Sequence, residues 1–396
     1  MNRRTFLSGA VAAGVALPAV ANATGRVRLT LPKPTGPHPI GRVSRHLVDH
    51  ARQDPWWETP HPRELMVDIW YPARTGNGWC APWMTPGALA TYRPAEEDRL
   101  TDMAQRLGLG DVEISLAGVD YPITHAREGA PRKEGDWPVV LYSPGYQADR
   151  ETGTVLVEDL ASRGYIVVTI GHTYDATEVE FPGNRVELGR PGLDTDGHLQ
   201  VAIRRADTRF VLDQLNLTRV GMFGHSLGGA TTGQSMVADS RVVAGVDLDG
   251  HVIPDVPFGP DSGRTPEEVQ ALLAAVAAGV GDRPFMVMSS DGHGPDQLGP
   301  LMTGFWHHLT GWRRFLSLTG TTHGSYTDIE ALYPPLSAAG VLPAALVSSI
   351  TGATPGDRVI AAQRAYVGAF FDRWLRDRDN HLLDGPSAEY PEVSFF

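Results

Sequence analysis

The residues of this chain best placed to do chemistry fall in one short stretch, Gly224-His225-Ser226-Leu227-Gly228. The apolar run Val220-Gly221-Met222-Phe223 precedes it, and small residues leading into a helical pattern follow, so it reads as strand, sharp turn, helix. In such a turn the serine backbone is strained and its hydroxyl stands clear of the sheet. Gly224 and Gly228 then sit where strand and helix cross too closely for side chains. The N–H of Leu227, at the start of the new helix, points where negative charge develops on an attacked carbonyl. A five-residue pattern of this kind is common by chance. Its place between a strand and a helix is what selects Ser226 as a nucleophile.

A serine hydroxyl is a poor nucleophile at neutral pH and needs a general base within hydrogen-bond reach. In this arrangement the order along the chain is serine, acid, histidine. That order points to His323, in the small-residue stretch Gly320-Thr321-Thr322-His323-Gly324-Ser325. His225 adjoins the serine, but from there its ring would have difficulty reaching back to the hydroxyl. His307 and His308 fall in a helical pattern, and His172 and His251 come too early. The acid that orients the imidazole should leave a strand end. Asp249 and Asp291 both do so, after successive strands, while Asp247 lies deeper in the same strand as Asp249. A second oxyanion donor belongs to the loop after Pro138–Ser143; Pro144 has no N–H, so Tyr146 is the natural choice.

These groups must be brought together by the elements between them. Apolar runs of parallel-strand type occur at Pro138–Ser143, Tyr165–Gly171, Val220–Gly224, Val242–Leu248, Phe285–Ser289 and Arg314–Leu318. Helical patterns alternate with them at Val155–Arg163, Leu199–Leu215 and Gln297–Thr310, and Arg358–Leu375 closes the chain. Such alternation predicts an α/β fold with a doubly wound, mostly parallel sheet, its reactive groups at the carboxyl ends of the strands. Earlier strands are expected at Val27–Leu31, Val43–Asp49 and Leu65–Tyr71. The stretch from Ala73 to about Asp136 reads as a surface excursion with a short helical piece near Glu96–Leu107. Residues 254–283 interrupt the alternation. Thr265-Pro266-Glu267-Glu268 opens a helix there, with Val269, Leu272, Leu273 and Val276 on one face. The segment reads either as a lid over the site or as a structural insertion on the sheet edge.

With 42% hydrophobic residues the 396-residue chain can bury a large core. Its formal net charge of −12 and lack of a basic patch argue against a nucleic-acid partner. A single cysteine, Cys80, excludes an internal disulfide framework, and the spacings of His38, His46, His50 and His61 match no metal motif. Neither a metal nor a cofactor is expected. Arg3-Arg4, an apolar run from Leu7 to Val20 and Ala21-Asn22-Ala23 predict a twin-arginine export signal over residues 1–23. No other stretch is long and apolar enough to span a bilayer.

At the level of motifs the chain resembles the serine-dependent platelet-activating-factor acetylhydrolases and the exported esterases and lipases grouped with them. The matching pieces are Glu64-Leu65-Met66-Val67-Asp68-Ile69-Trp70-Tyr71-Pro72, Leu141-Tyr142-Ser143-Pro144-Gly145, Gly224 to Thr231, Leu248-Asp249-Gly250 and Thr322 to Asp328. The resemblance implies an α/β-hydrolase domain over residues 24–396. It implies Ser226, Asp249 and His323 as the triad, with Tyr146 and Leu227 supplying the oxyanion N–H groups. Pro144 and Leu227 depart from the histidine and phenylalanine usual in that family, and 254–283 has no counterpart in it.

The expectation is therefore a secreted serine ester hydrolase forming an acyl-enzyme on short-acyl esters, the sn-2 acetyl ester of platelet-activating-factor-like phospholipids among them. Within the same chemistry the alternatives are a triacylglycerol lipase and a cutinase-like polyester hydrolase. Outside it stands a non-catalytic binding protein on a hydrolase fold. Expected partners are a small ester or lipid substrate, a transiently contacted lipid surface and the twin-arginine export machinery.

Overall fold

The computed structural model describes residues 26–396. The export signal expected over residues 1–23 lies outside them. The frame is an eleven-stranded sheet. Its middle is built by β1 (Ile40–Gln53), β2 (Pro62–Pro72), β3 (Val139–Ser143), β4 (Ile166–Gly171), β5 (Val220–His225), β6 (Val242–Leu248), β7 (Phe285–Ser290) and β8 (Arg313–Leu318). Their spatial order is β1-β2-β4-β3-β5-β6-β7-β8. β2 pairs antiparallel with both β1 and β4. From β4 to β8 every neighbour is parallel. Val393–Phe395 runs antiparallel along β8, and Ile123–Glu128 and Cys80–Pro82 extend the sheet beyond β1.

Parallel strands are covered on both faces, which is why their sequences are near-continuous apolar runs. All six residues of β4 and of β5 are buried. On one face α2 (Thr154–Ser162) and α9 (Gly356–Arg376) contribute Leu156, Leu160, Tyr366, Phe370 and Phe371 to the core. The opposite face is covered by α3 (His198–Gln214), α4 (Leu227–Ala238), α5 (Pro266–Val280) and α6 (Pro300–His308), through Val211, Met236, Leu273, Val276 and Phe305.

Helix α5 begins as expected, with Thr265 Oγ1 accepting from the Glu268 N–H at 3.3 Å while the Glu268 carboxylate accepts from the Thr265 N–H at 2.8 Å. Leu273, Val276, Ala277 and Val280 are buried against the sheet, so α5 is a packed crossover between β6 and β7. No residue of 254–283 lines the cavity at Ser226.

The stretch between β2 and β3 is a correction: it is not a surface excursion. It forms the 21-residue helix α1 (Pro86–Arg106), which starts ten residues before the expected piece and runs through Pro94. Tyr92, Leu100 and Ala104 of α1 pack with Trp83 and with Tyr333 and Leu346, which lie in α7 (Ile329–Ala338) and α8 (Ala344–Thr351). The buried positions recur every four residues but include Glu96, which masks the apolar stripe, and Pro86 and Pro94 read as breakers. Pro86 in fact occupies the helix start, where its missing N–H costs nothing. Among the described residues no helix is long and apolar enough to cross a membrane.

Candidate active site

Ser226 sits between β5 and α4 with φ 56° and ψ −121°, a conformation rare for any residue with a side chain. A Cβ at Gly224 would lie 2.2 Å from the carbonyl carbon of Gly228, and one at Gly228 would lie 2.0 Å from the Ser143 carbonyl oxygen. Both positions therefore require glycine. The Ser226 N–H donates to the Leu248 carbonyl at 2.9 Å, tying the turn to β6. Ser226 and His323 line the same cavity, of about 400 Å³.

His323 opens a short 3-10 turn, His323–Tyr326, in the loop after β8. Its Nδ1 is 2.7 Å from Asp249 Oδ2, and Asp249 Oδ1 accepts the Ser290 N–H, also at 2.7 Å. Burial pushes the Asp249 carboxyl up, but the hydrogen bonds from His323 and Ser290 outweigh it and hold the group below the usual carboxylate range. Asp249 thus accepts from the Nδ1–H, which leaves Nε2 of His323 available as a base. Asp291 is exposed, and its carboxylate reaches neither His323 nor any charged side chain among the described residues. Asp247 is fully buried, with Oδ1 on the Gly250 N–H at 2.8 Å and Oδ2 without a partner; burial raises its carboxyl to about 8.

The ring of His225 makes no hydrogen bond to the hydroxyl beside it. Its Nε2 lies 2.9 Å from the His323 carbonyl oxygen and the two rings are 4.5 Å apart. Burial first, then the neighbouring His323, pushes the His225 pKa down to about 3, so its neutral ring donates through Nε2 to that carbonyl. His225 therefore braces the loop that carries His323, a role its sequence position did not suggest.

Tyr146 lies in the loop after β3 and lines the cavity. Among the described residues neither the Tyr146 N–H nor the Leu227 N–H donates to a protein backbone acceptor outside regular structure. Two unsatisfied N–H groups lining one cavity with a serine hydroxyl are what an oxyanion at that site would require. The cavity wall opposite is supplied by Tyr92, Glu96, Arg99 and Met103 of α1, the helix the sequence disclosed only in part. Arg99 is held by both Glu96 oxygens, at 2.7 and 2.8 Å, and by Tyr333 Oη at 2.8 Å.

A second constellation went unread. Ser143, the last residue of β3, places Oγ 3.0 Å from His172 Nε2, and His172 Nδ1 is 3.0 Å from Asp207 Oδ2. All three are fully buried. His172 does follow a buried strand directly, the one signal that could have drawn attention to it. Asp194, Asp196 and His198 also come within metal-binding spacing. Their oxygens are already engaged by the N–H groups of Gly197, Leu199, Phe258 and Gly259, so the cluster braces two loops.

No protein-family model matches the chain. Its sequence is 28% identical over 389 residues to a protein of Arthroderma benhamiae named "Probable 1-alkyl-2-acetylglycerophosphocholine esterase", covering 92% of this chain and 93% of that one. It is 23% identical over 270 residues to the platelet-activating factor acetylhydrolase of Cavia porcellus, covering 57% of this chain and 56% of that one. Among solved structures, a ferulic acid esterase from Streptomyces cinnamoneus superposes with a TM-score of 0.73 at 34% identity, over 93% of this chain and 99% of that chain.

Proposed function

Because this chain belongs to the platelet-activating-factor acetylhydrolase family of α/β-hydrolase esterases and is a carboxylic ester hydrolase, we propose that it works through an acyl-enzyme on Ser226. His323 takes the serine proton through Nε2 as Oγ attacks the ester carbonyl. Asp249 holds the imidazole in the required tautomer and stabilises the imidazolium. The N–H groups of Tyr146 and Leu227 receive the oxyanion, and His323 returns its proton to the leaving alcohol. Water activated by the same histidine then releases the acid. The observation that carries this reading is the 2.7 Å pair of His323 and Asp249 at the cavity that the strained Ser226 also lines.

The substrate reading is a short-acyl ester, including the sn-2 acetyl ester of platelet-activating-factor-like phospholipids, hydrolysed after export by the twin-arginine route. The short-acyl part is supported by the modest cavity of about 400 Å³ and by the name of the Arthroderma relative, and the export part by Arg3-Arg4 ahead of the apolar run. A second reading, hydrolysis of hydroxycinnamoyl esters, draws on the Streptomyces structure and on Tyr92 and Tyr146 in the cavity wall. One panel decides between them: acetyl to long-chain esters, an acetylated glycerophosphocholine, a feruloyl ester and a polyester film. The short-acyl reading expects kcat/KM to peak from acetyl to butyryl. A peak at the feruloyl ester selects the second reading, and a steady rise toward long chains overturns both in favour of a lipase.

A further inference from the structure

The loop that carries Tyr146 is closed by one backbone hydrogen bond, from the Ala148 N–H to the Gly145 carbonyl at 3.3 Å. It leaves β3 through Ser143-Pro144-Gly145. It must also lie hard against the nucleophile: a Cβ on Gly145 would come within 3.2 Å of His225 Nδ1 and 3.4 Å of Ser226 Cβ. A side chain from α3 fixes it. Arg204 is fully buried, and its guanidinium donates through Nη2 to the Gly145 carbonyl at 2.8 Å and through Nη1 to the Pro144 carbonyl. Asp175, also buried, accepts from Nε at 2.8 Å and is reached again by Nη2. One planar fork thus binds two consecutive carbonyls and a carboxylate, a geometry that an ammonium group cannot reproduce.

A peptide unit is planar and trans, so the N–H of residue i+1 points opposite to the C=O of residue i. With the Gly145 carbonyl held toward Arg204, the Tyr146 N–H faces the other way, toward the cavity that Gly145, Tyr146 and Ser226 line. We propose that Arg204, held in turn by Asp175, is a positioning residue that aims the Tyr146 N–H at the developing oxyanion. The inference rests on the reading of Tyr146 as an oxyanion donor to a Ser226 acyl-enzyme. Arg204 touches no substrate atom; it acts by preventing a flip of the Gly145–Tyr146 peptide. Preorganised donors of this kind stabilise the transition state more than the bound ester, so their loss appears in kcat rather than KM.

The test compares wild type with Arg204→Lys and Asp175→Asn. It reads kcat and KM on a short ester, inhibition by a trifluoromethyl ketone that forms an oxyanion on the serine, and binding of a non-hydrolysable ether analogue that forms none. Arg204→Lys is expected to lower kcat by about 10- to 100-fold, below the ~10²–10³ of a lost oxyanion donor. Ketone affinity should fall by the same factor, with KM and ether binding within about 3-fold. Asp175→Asn, nearly isosteric, should show the same pattern at roughly 5-fold and keeps the test alive should the lysine variant not fold. Folded variants with wild-type kcat and ketone affinity overturn the proposal, as does a matched loss of ether binding. Ser226→Ala separates the two levels: unchanged turnover there sinks the reading of the site itself. Abolished turnover there, with both clamp variants unaffected, sinks only the clamp.

Discussion

Ser143, His172 and Asp207 have the same residue types as Ser226, His323 and Asp249, and both sets flank the Pro144-Gly145-Tyr146 loop. Their surroundings differ in three ways. The first set is sealed, with all three residues fully buried, while the His323 side chain is 57% exposed to the cavity. Ser143 belongs to the regular ladder of β3, paired with Gly224, whereas Ser226 is forced to positive φ in a turn. Asp207 is also committed elsewhere, accepting from Arg63 at 2.7 and 3.1 Å and from Arg52 at 2.8 Å. Burial depresses the His172 pKa, so the ring stays neutral, donating through Nδ1 to Asp207 and accepting the Ser143 hydroxyl at Nε2. Serine, histidine and aspartate in hydrogen-bond sequence therefore do not by themselves tell the two sets apart. Backbone strain, access to a cavity and idle N–H donors do.

The largest effect that would break this contrast comes from the two serines. Ser226→Ala is expected to lose at least about 10⁴-fold in kcat and all labelling by a fluorophosphonate. Ser143→Ala should label like wild type and instead lose about 1–3 kcal/mol of stability, because the buried His172 Nε2 is left without a donor. Labelling that survives in Ser226→Ala and disappears in Ser143→Ala would invert the assignment.

The acids come next. Asp249→Asn should cost about 10⁴-fold in kcat, by the serine-protease precedent, while circular dichroism stays native. Asp291→Asn, whose carboxylate makes no hydrogen bond to His323, should stay within about 2-fold. A larger loss in Asp291→Asn would move the acid to the following strand end.

Asp207→Asn tests the sealed set through stability. Breaking one side of a buried ion pair costs about 3–5 kcal/mol. Burial pushes the Asp207 carboxyl up, but Arg63 and His172 prevail and hold it well below the usual range. A depressed carboxyl contributes stability above its unfolded pKa of about 4 and loses it as pH falls toward the folded value. The gap in denaturation midpoint between wild type and variant should therefore be full at pH 6–7 and narrow below about pH 4. A gap independent of pH would show that the charge on Asp207 is not what stabilises the fold.

The smallest effect on turnover separates Asp247 from Asp249 within a single strand. With its carboxyl raised to about 8, Asp247 is protonated at neutral pH, and wild-type stability falls as pH climbs from about 4 to about 8. Asp247→Asn lacks that fall. Its melting temperature should gain on wild type by roughly 5–10 °C across the window, with kcat little changed. A parallel pair of Tm-versus-pH curves would refute this.

Local patterns in the sequence carried much of the frame. The elbow, the parallel strands and the loop of His323 each announce themselves within about ten residues, because a buried parallel strand is apolar throughout and a tight crossing demands glycine. Asp249 and Asp291 could not be separated by strand-end position alone; His323 Nδ1 does so by lying 2.7 Å from one of them. Helix α1 was half hidden because Glu96 lies on its buried face and Pro94 inside it. The clamp was invisible for a different reason. Arg204 and Asp175 are 29 residues apart and meet the loop only after α3 docks on the sheet. Nothing local distinguishes Arg204 from the exposed arginines of a charged helix.

The wall of α1 has an evolutionary corollary. It comes from the connection between β2 and β3, a stretch of chain separate from the elbow and from the segment that carries Asp249. Fit and reactivity are therefore written in separate parts of the gene. Exchanges at Tyr92, Arg99 or Met103 can recut the chamber for a new ester while the reactive apparatus is inherited intact, so that divergence of diet among descendants needs no reinvention of chemistry.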